Sequence, residues 1–413
     1  MVNREFDIVV FGAASFVGKI LCEYLANEHR EANLSWAMAG RSQSKLDDLK
    51  KSLGQNAESI PCLIADSHDE ASLQSMCSSA EVIISTVGPY ALYGDLLVKI
   101  CAHSGTDYCD LTGEPQWIRR MITKYEAAAQ ESGARIVNSC GFDSIPSDLG
   151  VQVLQRAALK NFGSYCSEVK MRVVKMKGGA SGGTIASGLN VYKEAARDPA
   201  LREELKDWYS LCPQDHGFNE KQKNVRVEYE ADFDSWAGPF IMASINTRIV
   251  LRSNSLVDGF YSASFRYDEA MLTGDGKKGE KVAKRLARGT GWGMVAMTIP
   301  PVRWFVSKFF LPKPGEGPSP EQQLDGFYEL SFVGRTDKGD RITATVKGDR
   351  DPGYGSTAKM LAQAGISLCR DVDKSEVGGG FWTPATVFSE KLIERLENYA
   401  GMSFQVLVDT EEV

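Results

Sequence analysis

The sequence predicts an α/β fold in which a doubly wound parallel sheet is followed by a second α+β domain with a mixed, partly antiparallel sheet. Three observations lead there. Short apolar runs alternate with amphipathic stretches of helical length from residue 6 to 142. A glycine-bounded turn follows the first run directly. Beyond Pro146 the pattern changes to longer strand-like segments. Near-continuous apolar strands alternating with helices require a parallel sheet covered on both faces.

The expected strands of the first domain are residues 6–12 (FDIVVFG), 34–40, 60–66, 81–88, 107–111 and 135–140. Apolar spacings of three and four place helices near 17–30, 43–53, 69–79, 94–105 and 115–132. A helix over 147–159 leads out of this unit. Strands are then expected at 168–175, 225–233, 244–251, 327–335 and 341–347, the last two joined by a polar hairpin turn at 336–340. Residues 289–320, rich in Gly, Pro and aromatics, are expected to wrap the surface. Pro384 in the first turn marks a final amphipathic helix over 383–396. The domain expectation is therefore 1–146, 147–378, and a C-terminal helical segment 379–413 returning to the first domain.

Composition bounds the function. The chain has 413 residues, 43% hydrophobic and 24% charged, the profile of an ordinary globular protein with ample core. Its net charge of −7 disfavours nucleic acid as a partner. Nine cysteines include no C-x-x-C pair, which speaks against a disulfide framework or a cysteine zinc site. Four histidines leave little for a His-based metal centre. Together with an N-terminus that enters a strand at once, these features give a cytoplasmic expectation. The stretch 292–311 approaches a membrane span in length, but Pro300, Pro301, Arg303 and Lys308 break it. A buried loop-helix or a subunit contact is expected there, with peripheral membrane contact as the alternative.

Gly12-Ala13-Ala14-Ser15-Phe16-Val17-Gly18 lies between the first strand and its helix. This is the context of a dinucleotide site: Gly12 turns the chain, small residues let backbone approach a pyrophosphate, and Gly18 permits close helix packing. The free N–H groups of the helix then face the phosphates. The expected cofactor contacts are Gly12, Ala14, Ser15, Phe16, Val17 and Gly18. Ser15 replaces the usual middle glycine, and its Cβ is expected to narrow the approach. The second strand ends in Gly40-Arg41-Ser42. An acidic residue there would hold a ribose hydroxyl, whereas Arg41 pairs with a 2′-phosphate and Ser42 adds a hydrogen bond, so NADP(H) is the expected cofactor. Val87, Gly88 and Pro89, after the fourth strand, border the expected nicotinamide end, with Tyr90 and Tyr93 as candidate proton donors or packing groups.

Other candidates cluster at the same sheet edge. Asp110 and Glu114 are candidates for a polar site, while Asp143 and Asp148 read as helix-capping carboxylates, with a substrate or nicotinamide contact as the alternative. Cys109 and Cys140 read as buried structural thiols. The glycine-rich 178–184 could hold an anionic oxygen through its backbone or serve as a connection. Arg248 and Arg252, alternating on one face of the expected strand and its end, read as a solvated face, with contact to an anionic substrate as the alternative.

The motifs GAASFVG, AGRSQSKL, STVGPYALYG, DYCDLTGEPQW and SCGFDSIPSDLG, in this order, resemble the saccharopine dehydrogenase-like oxidoreductases, including those called trans-acting enoyl reductases of lipid biosynthesis. GGASGGTIAS, NTRIVLRSN, PKPGEGPS, GDRDPGYGSTAKML and GGGFWTPATVF extend the likeness over almost the whole chain. The resemblance implies an NADP-type Rossmann domain, a second domain on a mixed sheet, and a C-terminal helix returning to the first domain. An NADP(H)-dependent reductase of a C=C or C=N bond in a small-molecule or acyl substrate is the resulting expectation, commonly a homodimer for two-domain oxidoreductases. A non-catalytic nucleotide-sensing or lipid-surface protein on the same fold is the alternative.

Overall fold

The computed structural model describes residues 4–29, 33–179, 182–257, 261–299, 301, 302, 304 and 317–408. Fourteen strands form two seven-stranded sheets among the described residues. The first sheet uses β1 (Phe6–Phe11), β2 (Trp36–Gly40), β3 (Cys62–Ile64), β4 (Ala80–Ser85), β5 (Asp107–Asp110), β6 (Arg135–Val137) and β13 (Gly380–Trp382). Its order is β13-β6-β5-β4-β1-β2-β3, and every pairing in it is parallel. Strand alternation divides its core. Ile8, Val10, Val82 and Ile84 pack with the helix Thr357–Arg370, whereas Val9, Phe11 and Ile83 pack with the helices Glu70–Ser79, Asp95–Ser104 and Pro115–Ser132.

The second sheet comprises β7 (Glu168–Lys177), β8 (Glu228–Glu230), β9 (Ser235–Pro239), β10 (Arg266–Gly274), β11 (Phe327–Arg335), β12 (Arg341–Gly348) and β14 (Met402–Val408), in the order β14-β12-β11-β7-β10-β9-β8. It is mixed: β7 and β10 run parallel, and the other pairings are antiparallel. The β11–β12 hairpin closes through Thr336 and Asp340, as the polar turn predicts.

Two expected strands are corrected. Residues 244–251 lie within a helix, Ala243–Leu256. Its apolar spacing suits either structure, and burial on opposite sides decides: Ile245 and Ile249 join one core, Val250 and Leu251 the other. Within 225–233 only Glu228–Glu230 forms a strand. The C-terminal segment supplies more than a helix. β13 extends the first sheet beside β6, the helix Pro384–Tyr399 follows, and β14 closes an edge of the second sheet.

Candidate functional site

The loop after β1 is built around two glycines. Gly12 has φ +85, and a Cβ there would fall 2.6 Å from Val87 Cγ2 and 2.8 Å from Thr86 Oγ1. A Cβ at Gly18 would fall 2.2 Å from the Gly12 carbonyl oxygen. Ser15 needs no glycine: its φ is −69 and it serves as N-cap of the helix Phe16–Glu23. Its hydroxyl accepts from Gly18 N at 3.0 Å and contacts Thr86 Oγ1 at 2.9 Å, and Thr86 in turn donates to the Gly12 carbonyl at 2.9 Å. The serine thus braces the loop. Ala14 lies half-buried beside it. Val17 points its side chain into the core, leaving only backbone for a ligand. Phe16 packs edge-on against Tyr354 at 5.1 Å, and a Cβ at Gly317 would strike its ring, so the second unit reaches the lip of the loop.

At the end of β2 the Arg41 guanidinium is exposed and makes no hydrogen bond or ion pair among the described residues. Ser42 makes no side-chain capping bond to the helix Gln43–Leu53, and its hydroxyl contacts only that of Ser44. A glycine turn held open beside a helix N-terminus and a cation with two adjacent serine hydroxyls form a donor set that fits a 2′-phosphorylated dinucleotide.

The loop after β4 carries Val87, Gly88 and Pro89 into the helical turn Tyr90–Tyr93. Val87 and Pro89 are half-buried and Gly88 is exposed, with Ser187 Oγ 3.7 Å from where a Gly88 Cβ would lie. The helix Gly182–Arg197 of the second unit therefore faces this loop. Tyr90 is 3% exposed, and its hydroxyl donates to the Ser85 carbonyl at 2.9 Å. Burial pushes its pKa well above the ordinary phenol value, with Asp110, Glu114 and Asp143 adding to the rise. Such a phenol is a poor proton donor and a good brace. Tyr93 is half-buried and meets His68 edge-on at 5.6 Å.

The acidic residues separate into distinct roles. Asp110 is fully buried and accepts from Thr112 N, Ser139 N, Asn138 Nδ2 and Tyr108 OH at 2.8–3.0 Å. Burial raises its pKa to about 6 against those four donors. It ties β5 to the loop after β6 and has no capacity left for a ligand. Glu114 does not cap its own helix; it accepts from Tyr90 N at 2.8 Å and Ala91 N at 3.1 Å. Burial pushes its pKa up, and these bonds and the Ser187 hydroxyl oppose the rise. Asp148 also reaches away from its own helix, Ile145–Phe162, accepting from Ser253 Oγ and Ala385 N.

Asp143 differs from all of these. The capping expectation fails: Ser144 is the N-cap, and neither Ser144 nor Asp143 makes a capping bond. The Asp143 carboxylate accepts no hydrogen bond among the described residues and lies half-buried, with Oδ1 3.9 Å from where a Gly113 Cβ would be. Burial, then Asp110, raises its pKa to about 7. Its loop is fixed: Phe142 N donates to Thr357 Oγ1 at 2.9 Å, and Ser139, at φ +61, donates to the Thr112 carbonyl at 2.7 Å. Cys109 and Cys140 are fully buried, with thiols pushed well above their ordinary pKa chiefly by burial.

Arg248 and Arg252 correct another expectation, because both are buried within their helix rather than solvated. Arg248 donates to the Leu205 carbonyl at 2.6 Å and to Ser210 Oγ at 3.2 Å, and burial lowers its pKa to about 10. Arg252 donates to the carbonyls of Leu211 and Phe381 and lies 3.7 Å from Glu126. Ala180 and Ser181, with the side chain of Thr184, fall outside the described residues, as do Arg303 and 305–311 of the aromatic segment. Among the described residues no helix is long and apolar enough to cross a membrane.

Comparison with known proteins shows the family. Residues 8–137 match the model of the saccharopine dehydrogenase NADP-binding domain. The trans-acting enoyl reductase of Mycobacterium bovis (strain BCG / Pasteur 1173P2) is 37% identical over 420 residues, covering 95% of this chain and 96% of that one. A Mycobacterium tuberculosis (H37Rv) relative, provisionally named a trans-acting enoyl reductase, is 41% identical over 414 residues, 97% of each chain. Among solved structures, the saccharopine dehydrogenase (L-Glu forming) of Saccharomyces cerevisiae superposes with a TM-score of 0.54 at 10% identity, covering 97% of this chain and 99% of that one. The homospermidine synthase of Legionella pneumophila gives 0.52 at 11% identity, with 100% and 94% covered. These two likenesses concern the fold alone. The order β1, glycine turn, helix, β2, arginine and the similarity along the full length agree, and the chain belongs to the saccharopine dehydrogenase-like oxidoreductases that include the trans-acting enoyl reductases, as an NADP-dependent enzyme of that family.

Proposed function

We propose that the enzyme reduces the C=C bond of an enoyl substrate carried on an acyl chain, with Asp143 as the proton donor. NADPH, when bound, supplies the hydride. In this reading the loop from Gly12 to Gly18 holds the diphosphate, Arg41 and Ser42 hold the 2′-phosphate, and Val87–Pro89 bound the reacting end. Tyr90 and Glu114 keep that boundary rigid. Asp143, the acid at this sheet edge without a hydrogen-bond partner among the described residues, holds its proton near neutral pH because it is desolvated and faces Asp110. At a conjugated enoyl group, whose β-carbon would take the hydride, the Asp143 O–H bond would break and the α-carbon would take the proton. The carboxylate left behind is reprotonated from solvent.

The single observation that favours C=C over an amino-acid imine is the fate of Arg248 and Arg252. A substrate bearing several carboxylates needs free guanidinium groups, and both of these are committed to backbone carbonyls in the interior. The names of the mycobacterial relatives support the same choice. Peripheral membrane contact and a homodimer in the cytoplasm accord with a lipid-like substrate. Oxidation of NADPH on addition of long-chain enoyl thioesters, and none with glutamate-derived imines, is the expected outcome. Turnover of the imines alone would overturn the substrate assignment.

A further inference from the structure

The helix Gly276–Thr298 carries six cations, Lys277, Lys278, Lys281, Lys284, Arg285 and Arg288, against one acid, Glu280. In a chain of net charge −7 this is a strong local reversal. All six are exposed. Only Lys284 has an ion-pair partner among the described residues, Glu280 one turn away. At about 100° per residue the six fall within about 120° of the helix circumference, and Trp292 falls in the middle of that sector. Trp292 is 73% exposed. The opposite side is the packed one: Gly279 and Ala283 are buried, and a Cβ at Gly238 of β9 would sit 3.0 Å from Leu286 Cδ2 and 3.5 Å from Ala283 Cα.

Packing against β9 explains one side of this helix and leaves the basic side without an intramolecular purpose. Aligned like charges repel, at a cost of a few tenths of a kcal/mol per neighbouring pair. A large indole standing in water among them is likewise unfavourable for an isolated protein. The two features become favourable together at one kind of surface. Lysines and arginines are attracted to the negative potential of an anionic leaflet, and an indole prefers the headgroup boundary. An acidic protein would match the charge, but lysine is depleted from protein interfaces, and four of these six cations are lysines.

We propose that the face of this helix bearing Lys277, Lys281, Arg285, Arg288 and Trp292 is a docking surface for an anionic lipid bilayer, with the cations over the headgroups and the indole inserted between them. The inference stands independently of the reaction and of the roles given to Asp143 and Arg41. Its geometry also extends the membrane-contact expectation from 292–311 back by four helical turns, to a stretch whose side chains are described.

The test is sedimentation of the full chain with vesicles of phosphatidylcholine alone or mixed with phosphatidylserine. Binding is expected only to the mixed vesicles, falling as salt is raised, because these exposed charges are screened. The triple variant Lys281→Glu, Arg285→Glu, Arg288→Glu is expected to lose at least about 100-fold in partition, each cation contributing roughly a factor of five. Trp292→Phe should remove a vesicle-induced blue shift of the fluorescence. NADPH protection from thermal unfolding, unchanged in all variants, verifies that they fold. Equal binding to both vesicle types, no binding of the parent chain, or an unaffected triple variant would overturn the proposal. Binding to polyglutamate without binding to vesicles would reassign the face to an acidic protein.

Discussion

At the scale of single residues, the Arg41 and Asp143 side chains make no hydrogen bond or ion pair among the described residues. Arg41→Ala should weaken NADPH binding by about 10- to 100-fold, the range for losing hydrogen bonds to a charged group, and leave NADH nearly unchanged. Titration calorimetry with both nucleotides checks this, and equal losses would refute the 2′-phosphate contact. Asp143→Asn should lower kcat by about 10²- to 10⁴-fold. Because the acid must be protonated to act and its pKa is raised to about 7, wild-type turnover should fall as pH rises past neutrality. The residual activity of the variant should lack that limb. Tyr90→Phe, by contrast, removes a brace, and its effect should appear in stability as well as rate. Gly12, Gly18 and Arg41 were legible in the sequence because strand order alone places them. For Asp143 the sequence left capping and a ligand contact open: a capping carboxylate and one unpartnered among the described residues share the same local sequence, and Thr357 and Ser139, distant in the chain or on a strained turn, fix the loop that decides between them. Ser15 was readable as a departure, but its capping bond to Gly18 turns an expected obstruction into a support.

At the scale of elements, a polar network joins the helices Ile145–Phe162, Ala243–Leu256 and Pro384–Tyr399 to β10. Asp148 accepts from Ser253 and Ala385 N, while Glu269 accepts from Tyr267 OH at 2.7 Å and from Asn246 Nδ2 at 3.0 Å. Burial raises both carboxyls to about 7. Between an unfolded value near 4 and that folded value, the native state holds more protons than the unfolded state, so stability declines as pH rises through about 4–7 and levels off above it. Each carboxyl contributes at most on the order of 4 kcal/mol to this slope. Asp143 and Asp110 add in the same direction, so the discriminating measurement is the difference made by Asp148→Asn. The amide can still accept from Ala385 N and donate to the Ser253 hydroxyl. Denaturant unfolding at pH 5 and pH 8 should show a smaller gap between the two in the variant, and an undiminished gap would exclude Asp148 as a source. This network also explains the misread strand. Residues 244–251 end in the apolar, mostly β-branched run Ile249-Val250-Leu251, but Asn246 and Ser253 are needed on one side and Ile245 and Ile249 on another, which a helix buried all round provides.

At the scale of the molecule, the last thirty described residues bind the two sheets into one body. β13 pairs with β6, β14 pairs with β12, and the helix between them buries Phe388, Leu392 and Leu396. Those side chains belong to an apolar cluster that runs from Ile8 and Val10 of the first sheet to Phe332, Ile342 and Val346 of the second. The sequence made the helix legible through its periodicity and Pro384. It left β13 hidden, because three residues carry no period and their pairing depends on a strand nearly 250 positions earlier. Phe388 is 0% exposed, so Phe388→Ala should cost about 3–5 kcal/mol through lost transfer energy and a cavity. Since the cluster is continuous, that loss should lower a single unfolding transition for the whole chain, visible equally in calorimetry and in the dissociation temperature of bound NADPH. A variant in which the nucleotide-binding sheet keeps its parental transition while the second sheet melts earlier would show that the two unfold separately, contrary to a shared core.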